Sequence, residues 1–465
     1  MSDGSSIDSL VAILRAEVAR LAPGDRLPSS RDLIGRHGVG PVTVSRAIAL
    51  LAAEGVLVTR PGSGTYVAVR RSTATAPDTS WQAVALAGRQ LDPGEPTVEV
   101  PPGTVALSGG YLHESLQPTR ALGAALARAA RRPDAWHRAP AAGLAPLRTV
   151  FARQLGGDVG PEDVLVTGGG QGALSMLFRA TVAPGSPVLV ESPTYPGALA
   201  AARAAGLRPV PVPMDADGLR PDLLADAFAM TGARLLYCQP TFHNPTGTVL
   251  SDARRAQVVD VARAAGAFLI EDDFARHLGH GRPVPRPLVA DDRDGTVIHL
   301  TSLTKPASPS LRIGAVTARG PVMRRLLGMR RVDDFFIARP LQEAAVELLS
   351  TPAWDRHLRA LAAALQHRCT TLAAALSRTL PDWTLTTVPA GGLHLWVQLP
   401  SHLDESALAD ATRTAGVSID PGHPFFPAEP PGAYRRLNFG AAADPGELAE
   451  AARRLAAAGG PRTGP

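Results

Sequence analysis

Between residues 164 and 318 the chain repeats one pattern: a short apolar run, a turn, then a helical stretch. VLVT precedes a helix over 171–180, PVLVE one over 196–205, and LLYCQP one over 251–265, after which FLIEDD, TVIHL and RIGAVTA follow. Such alternation predicts a mainly parallel sheet covered by helices on both faces, an α/β fold. It also says where function belongs, on loops at the carboxyl ends of strands. GGGQG follows VLVT, NPTG follows LLYCQP, Asp272 ends FLIED, and Lys305 follows TVIHLTS. Each is a weak signal alone. GGGQG opening a helix offers backbone N–H groups and a dipole to a phosphate, yet a plain tight turn fits it equally well. HNPTG is a turn by default, and Asp272 could merely cap a strand end.

What joins these loops is a lysine. The chain has 47 basic side chains, and all but Lys305 are arginine. A coding bias that replaces lysine nearly everywhere spares it where guanidinium cannot do the work. The main such work is covalent: a neutral amine attacks an aldehyde carbon to give a Schiff base, and the always-protonated guanidinium cannot.

At 465 residues the chain has room for two or three domains and a large core. Cys238 and Cys369 lie far apart and cannot form a disulfide framework, which points to a cytoplasmic protein. No apolar run reaches the about 18 residues of a membrane span, and no signal core opens the chain, so no membrane partner is expected. No metal-ligand set is assigned. Residues 20–71 hold eight arginines against Asp25, Asp32 and Glu54, a local net of +5, so that the rest of the chain sums to zero. A compact basic segment suits a polyanion partner, or is simply a solvated charged face.

That segment has its own pattern. Ile7, Leu10, Val11, Leu14, Val18 and Leu21 recur at three and four, predicting an amphipathic helix. Ser29 with Asp32 three positions on predicts a capped helix ending near Gly38. Pro41 opens a third helix whose inner face is Val44, Ile48 and Leu51, with Gly55 as its stop. VLVTR and TYVAV, joined by PGSG, predict a hairpin. Three helices and a hairpin is the order of a winged helix-turn-helix, with the third helix in the major groove. LPSSRDL and VTVSRAIALLAAEGVLVTRPGSGTYV resemble the DNA-binding domain of GntR-type bacterial regulators. The resemblance implies DNA contacts by Arg31 from the second helix, Thr43, Ser45 and Arg46 from the recognition helix, and Gly62 and Ser63 at the wing tip. Pro41 stands where the family usually has a basic or polar residue, and Gly40 replaces the usual hydroxyl, which removes a guanine-reading side chain. More weight then falls on phosphate contacts and DNA shape.

Residues 71–104 turn to Ser, Thr, Pro and Ala with no sustained period and are read as a partly ordered linker between a domain at 1–70 and one at 105–462. Within the second, GGGQGAL, SPTYPG, PTFHNPTG, IEDDF, TSLTK, LRIG and RRLNF occur in the order of the fold-type-I, aspartate-aminotransferase-like enzymes, which the segment resembles. The resemblance implies a pyridoxal 5′-phosphate (PLP) cofactor and a smaller C-terminal subdomain over about 345–462. By it, Lys305 would hold PLP as a Schiff base, Asp272 would pair with the ring nitrogen, Asn244 would bond the ring's phenolic oxygen, and Tyr195 would stack on the ring. Gly170, Gln171, Ser302, Thr304 and Arg312 would bind the phosphate. Arg436 would clamp an effector carboxylate, with Arg435 its rival for that role. Two departures stand out. Phe274 occupies the place of a tyrosine that would share the phenolic-oxygen bond, and Pro306 restricts the backbone of Lys305. Both are compatible with holding PLP and poorer for fast turnover.

A GntR-type winged helix joined to an aminotransferase-like domain resembles the MocR regulators. That implies a homodimeric, PLP-dependent transcription factor that binds operator DNA. It would sense PLP, or a small amine or amino-acid effector, through Lys305, and control PLP, amino-acid or amine metabolism. The alternative is an active PLP-dependent aminotransferase with an appended DNA-binding domain.

Overall fold

The computed structural model describes residues 3–68, 78–86, 101, 103–403 and 405–459. Arg70, Arg71 and most of the stretch read as a linker lie outside the described residues. The chain divides into two compact units, 1–90 and 91–465.

In the first unit, helices Asp3–Val18, Ser30–His37 and Pro41–Ala53 precede a hairpin of Leu57–Arg60 and Gly64–Val67. Leu10, Leu14, Leu33, Val44, Leu51 and Leu57 close its core. Leu21 lies beyond the first helix and is exposed. Ser29 caps the second helix in a reciprocal box with Asp32, and Gly38 ends it in the left-handed region. Pro41 occupies the first turn of the third helix, where a missing N–H costs nothing. In the stretch read as lacking periodicity, SWQAVAL forms a short helix, Ser80–Leu86, with no buried residue. Asp78 accepts a bond from Ser80 N at its start.

The second unit is built on an eight-stranded sheet. Its order is Val164–Thr167, Gly314–Thr317, Val297–Ser302, Phe268–Asp272, Leu235–Cys238, Pro187–Ser192, Arg208–Asp215 and Gly218–Leu219. Gly314–Thr317 runs antiparallel to both neighbours and Gly218–Leu219 closes an edge hairpin, while the other pairings are parallel. Apolar clusters cover both faces. A second sheet, Thr384–Leu385, His394–Gln398, Tyr434–Asn438 and Asp420–Pro421, is antiparallel and packs with the helices Pro352–Thr379 and Pro445–Gly459. The strand Val105–Ala106 pairs with Val417–Ser418, so the first residues of this unit join the C-terminal core. Both cysteines are buried free thiols. Among the described residues, no helix is long and apolar enough to cross a membrane.

Candidate functional site

Lys305 sits in the turn after the strand Val297–Ser302, at the carboxyl end of the sheet. Its Nζ lies 4.3 Å from the centre of the Tyr111 ring. A Cβ on Gly110 would stand 3.2 Å from the same atom, so a larger residue there would crowd the amine. Burial pulls the ammonium down to about 8, helped by the Arg436 and Arg312 charges and opposed by Asp272. Near neutrality the side chain therefore has a usable fraction of free amine. Pro306 follows it, and the Pro306 carbonyl accepts a bond from His357 Nε2 at 2.7 Å, which braces the turn.

Asp272 ends its strand fully buried. Burial pushes its carboxyl up to about 6, against hydrogen bonds that favour the ionised form. Those bonds come from Tyr237 Oη at 2.6 Å and Gln239 Nε2 at 3.2 Å. Asn244 N donates to Gln239 Oε1, which ties the NPTG turn to the same strand end. Phe274, two residues beyond Asp272, packs against the C-terminal core and offers no hydroxyl. Tyr195 leads into the helix Pro196–Ala204, and its hydroxyl donates to Gln171 Oε1 at 3.1 Å. Burial and the Asp272 charge push that phenol up to about 12.

At the other end of this loop cluster, Gly169 (φ +96°) precedes the helix Gly170–Thr181. A Cβ there would lie 2.7 Å from an Arg312 nitrogen, so the guanidinium rests on the bare backbone. Arg312 itself is left-handed at φ +51° and donates to the Gly168 carbonyl at 2.6 Å. Ser302 Oγ donates to Thr304 Oγ1 at 2.8 Å and accepts from Thr304 N. Gln171 spends its amide on the Gly197 carbonyl and Tyr195. A helix N-terminus, two hydroxyls and a guanidinium are groups that could hold an anion.

Arg436 lies on the strand Tyr434–Asn438 with its guanidinium already engaged. It donates to Asp420 Oδ2 at 2.6 and 3.0 Å, to Asn244 Oδ1 at 2.9 Å and to the Gly109 carbonyl at 3.0 Å. Arg435 is buried on the other side of the strand and pairs with Glu405. Its role is structural, which removes it as a rival. Beside Lys305, the His394 ring is fully buried, and burial holds it well below the ordinary imidazole range. Among the described residues, its Nε2 has no hydrogen-bond partner. Tyr111, Gly110, Tyr237, Gln239, His394 and Asp420 escaped sequence reasoning. Only Tyr237 and Gln239 carried a signal, since LLYCQP ends a strand in the same layer as Asp272.

In the first unit Arg31, Ser45, Arg46, Gly62 and Ser63 are exposed and Thr43 is half-buried. Gly62 (φ +74°) turns the wing. Tyr66 donates to the Ser63 carbonyl, the Arg60 guanidinium lies 4.9 Å from its ring centre, and Arg26 packs against Gly64. The wing thus carries two arginines beyond the residues implied by resemblance.

An α/β body with a half-buried lysine at its carboxyl edge, in a chain headed by a winged helix, defines the class. Residues 108–455 match the profile of aminotransferase class I and II, and residues 7–67 that of the bacterial regulatory proteins of the gntR family. YdcR of Escherichia coli K12, an uncharacterised HTH-type transcriptional regulator, is 32% identical over 427 residues, 90% of each chain. The 2-aminoadipate transaminase of Thermus thermophilus is 31% identical over 359 residues, 76% of this chain and 89% of that one. Among solved structures, LysN, the α-aminoadipate aminotransferase from Thermus thermophilus, superposes with a TM-score of 0.74 at 29% identity, covering 81% of this chain and 97% of that one. The chain belongs to the aminotransferase class I and II family, in its MocR-type branch of GntR-headed transcriptional regulators. The cofactor of this fold is PLP. The residues present fit it: the half-buried Lys305 amine for its aldehyde, the buried Asp272 carboxylate for its ring nitrogen, and Arg312 with a helix N-terminus for its phosphate.

Proposed function

We propose that this regulator senses PLP, or a small amine-bearing effector, at Lys305, and that occupancy there changes its affinity for operator DNA. The observation that carries the reading is Lys305 itself: the sole lysine, half-buried, with its ammonium lowered to about 8, in a chain headed by a gntR-type winged helix. In this reading residues 1–70 bind DNA, 71–104 link, and 105–462 sense, with the smaller subdomain from about 345. PLP supplies an aldehyde carbon and an electron-withdrawing ring when bound. Lys305 holds it covalently, Asp272 keeps its ring nitrogen protonated, and Asn244 and Tyr195 orient the ring. Gly170, Gln171, Ser302, Thr304 and Arg312 hold its phosphate. Arg31, Thr43, Ser45, Arg46, Gly62 and Ser63 face the DNA. The protein acts as a homodimer, and its targets are genes of PLP, amino-acid or amine metabolism. A ligand shifts DNA binding only if it favours one of two states.

Fluorescence anisotropy tests this reading, using the DNA upstream of the chain's own gene, with and without PLP, for the wild type and Lys305→Ala. PLP should change the affinity of the wild type alone. Equal DNA binding in all four cases would remove PLP as the signal. Absence of specific binding, together with steady-state turnover on a 2-oxo acid, would put the transaminase alternative first.

A further inference from the structure

Arg436 has no free edge for a ligand carboxylate. A carboxylate pairs with arginine through two adjacent N–H groups. The Nε–Nη2 edge is filled by Asp420, and the Nη1–Nη2 edge is drawn to Asn244 and the Gly109 carbonyl. Asp420 is not a wandering side chain. It stands directly opposite Arg436 in an antiparallel ladder, and its carboxylate accepts from Gly109 N at 2.9 and 3.2 Å. Arg436 is nearly buried, with 8% of its side chain exposed against 22% for Asp420. The Phe425 ring backs its guanidinium at 4.8 Å. An entering carboxylate would have to expel Asp420 and leave a half-buried negative charge unpaired beside itself.

This pair adjoins the reactive amine. Gly109 holds Asp420 and Arg436, Gly110 borders Lys305 Nζ, and the Tyr111 ring lies against it. We infer that the effector is a primary amine without an α-carboxylate, whose nitrogen would bond to the PLP aldehyde carbon as the Lys305 nitrogen leaves it as a free amine, because Asp420 fills the carboxylate subsite of Arg436 from within the chain. The inference rests on Lys305 as the sensing group. The His394 ring lies beside Gly110, next to Lys305.

The test uses the full chain loaded with PLP and freed of excess by gel filtration. Calorimetric titration compares 3-methylbutylamine with L-leucine, which differ only by the α-carboxylate. The wild type should bind the amine about tenfold or more tighter than leucine. Asp420→Asn frees the Arg436 fork and should narrow that ratio by about tenfold or more, and the double variant with Arg436→Gln should lose the gain. Leucine binding as tightly as the amine to the wild type overturns the inference, and this comparison stands even if Asp420→Asn fails to fold. An unchanged ratio in a folded Asp420→Asn also overturns it. In Lys305→Ala the amine has no lysine to displace, so its affinity and binding heat should both change. If this variant binds both ligands as the wild type does, the Lys305 reading itself has failed and the inference falls with it.

Discussion

Lys305 is a lysine in an environment that resists its charge. A buried ammonium near Arg436 and Arg312 is disfavoured, and the side chain falls from 10.5 to about 8. Only the neutral amine attacks an aldehyde. Attachment of PLP to the apoprotein should therefore accelerate as pH rises toward 8 and level off about one pH unit above it. Stopped-flow absorbance would show this, with Lys305→Arg as a blank. A rate still climbing beyond pH 10 would mean the amine is solvated. The linked effect on stability has the same sign. Between about 8 and 10.5 the unfolded chain binds more protons at this residue than the folded one, so the apoprotein gains stability as pH rises through that window. Lys305 and Asp272 were legible in the sequence because each directly follows or ends a strand of one sheet layer. Asp420 and Gly109 were not. Their meaning comes from Arg436, which meets Gly109 across 327 positions of sequence, and no local pattern announces such a meeting.

The element that shapes the anion end is the turn into the helix Gly170–Thr181. Gly169 and Gly170 are neighbours with opposite constraints. Gly169 has φ +96° and faces Arg312 with no space for a Cβ, whereas nothing lies within 4 Å of the Cβ position on Gly170. Gly169→Ala combines backbone strain of about 1–3 kcal/mol with displacement of Arg312. It should weaken PLP binding by about tenfold or more and leave the affinity for pyridoxal, which has no phosphate, much less changed. Gly170→Ala should affect both ligands little. Equilibrium dialysis with the two ligands checks this, and equal losses for both in Gly169→Ala would place the phosphate elsewhere. The same scale shows where sequence reasoning stopped. The strand Arg208–Asp215 reads as RPVPVPMD, and proline argues against a strand. Yet Pro209, Pro211 and Pro213 share one parity. Arg208 N donates to the Ser186 carbonyl on the side of Pro187–Ser192, so the prolines of opposite parity turn their missing donors away from that neighbour. Over 208–213 the outer side has no ladder partner among the described residues, since the edge hairpin pairs only Met214 and Asp215. A spacing of two makes proline tolerable there. The strands in VLVT, PVLVE, LLYCQP, FLIEDD, TVIHL and RIGAVTA and the helices between them were legible because their apolar runs are continuous, whereas the short strands of the C-terminal sheet were not read.

At the scale of the whole molecule, the claim is that two sites in one chain share an equilibrium. Coupling free energies are reciprocal: if PLP changes DNA affinity by some factor, DNA must change PLP affinity by the same factor. Factors of about 5- to 150-fold are usual for such coupling. Two titrations measure it independently. One follows DNA binding by anisotropy with and without saturating PLP, and the other follows PLP binding with and without saturating operator DNA. Both must use one salt concentration, because a basic head loses DNA affinity steeply as salt rises. Residues 20–71 are a basic stretch of the head, with eight arginines against three acids, so salt should move the DNA constant strongly. The coupling factor should move far less, since the same head meets the DNA with and without PLP. Equal factors from the two titrations establish a sensor. A change in DNA affinity without the reciprocal change in PLP affinity would instead mean that PLP acts at a second place, such as an exposed arginine of the head. Loss of both factors in Lys305→Ala would assign the coupling to the one lysine the chain has kept.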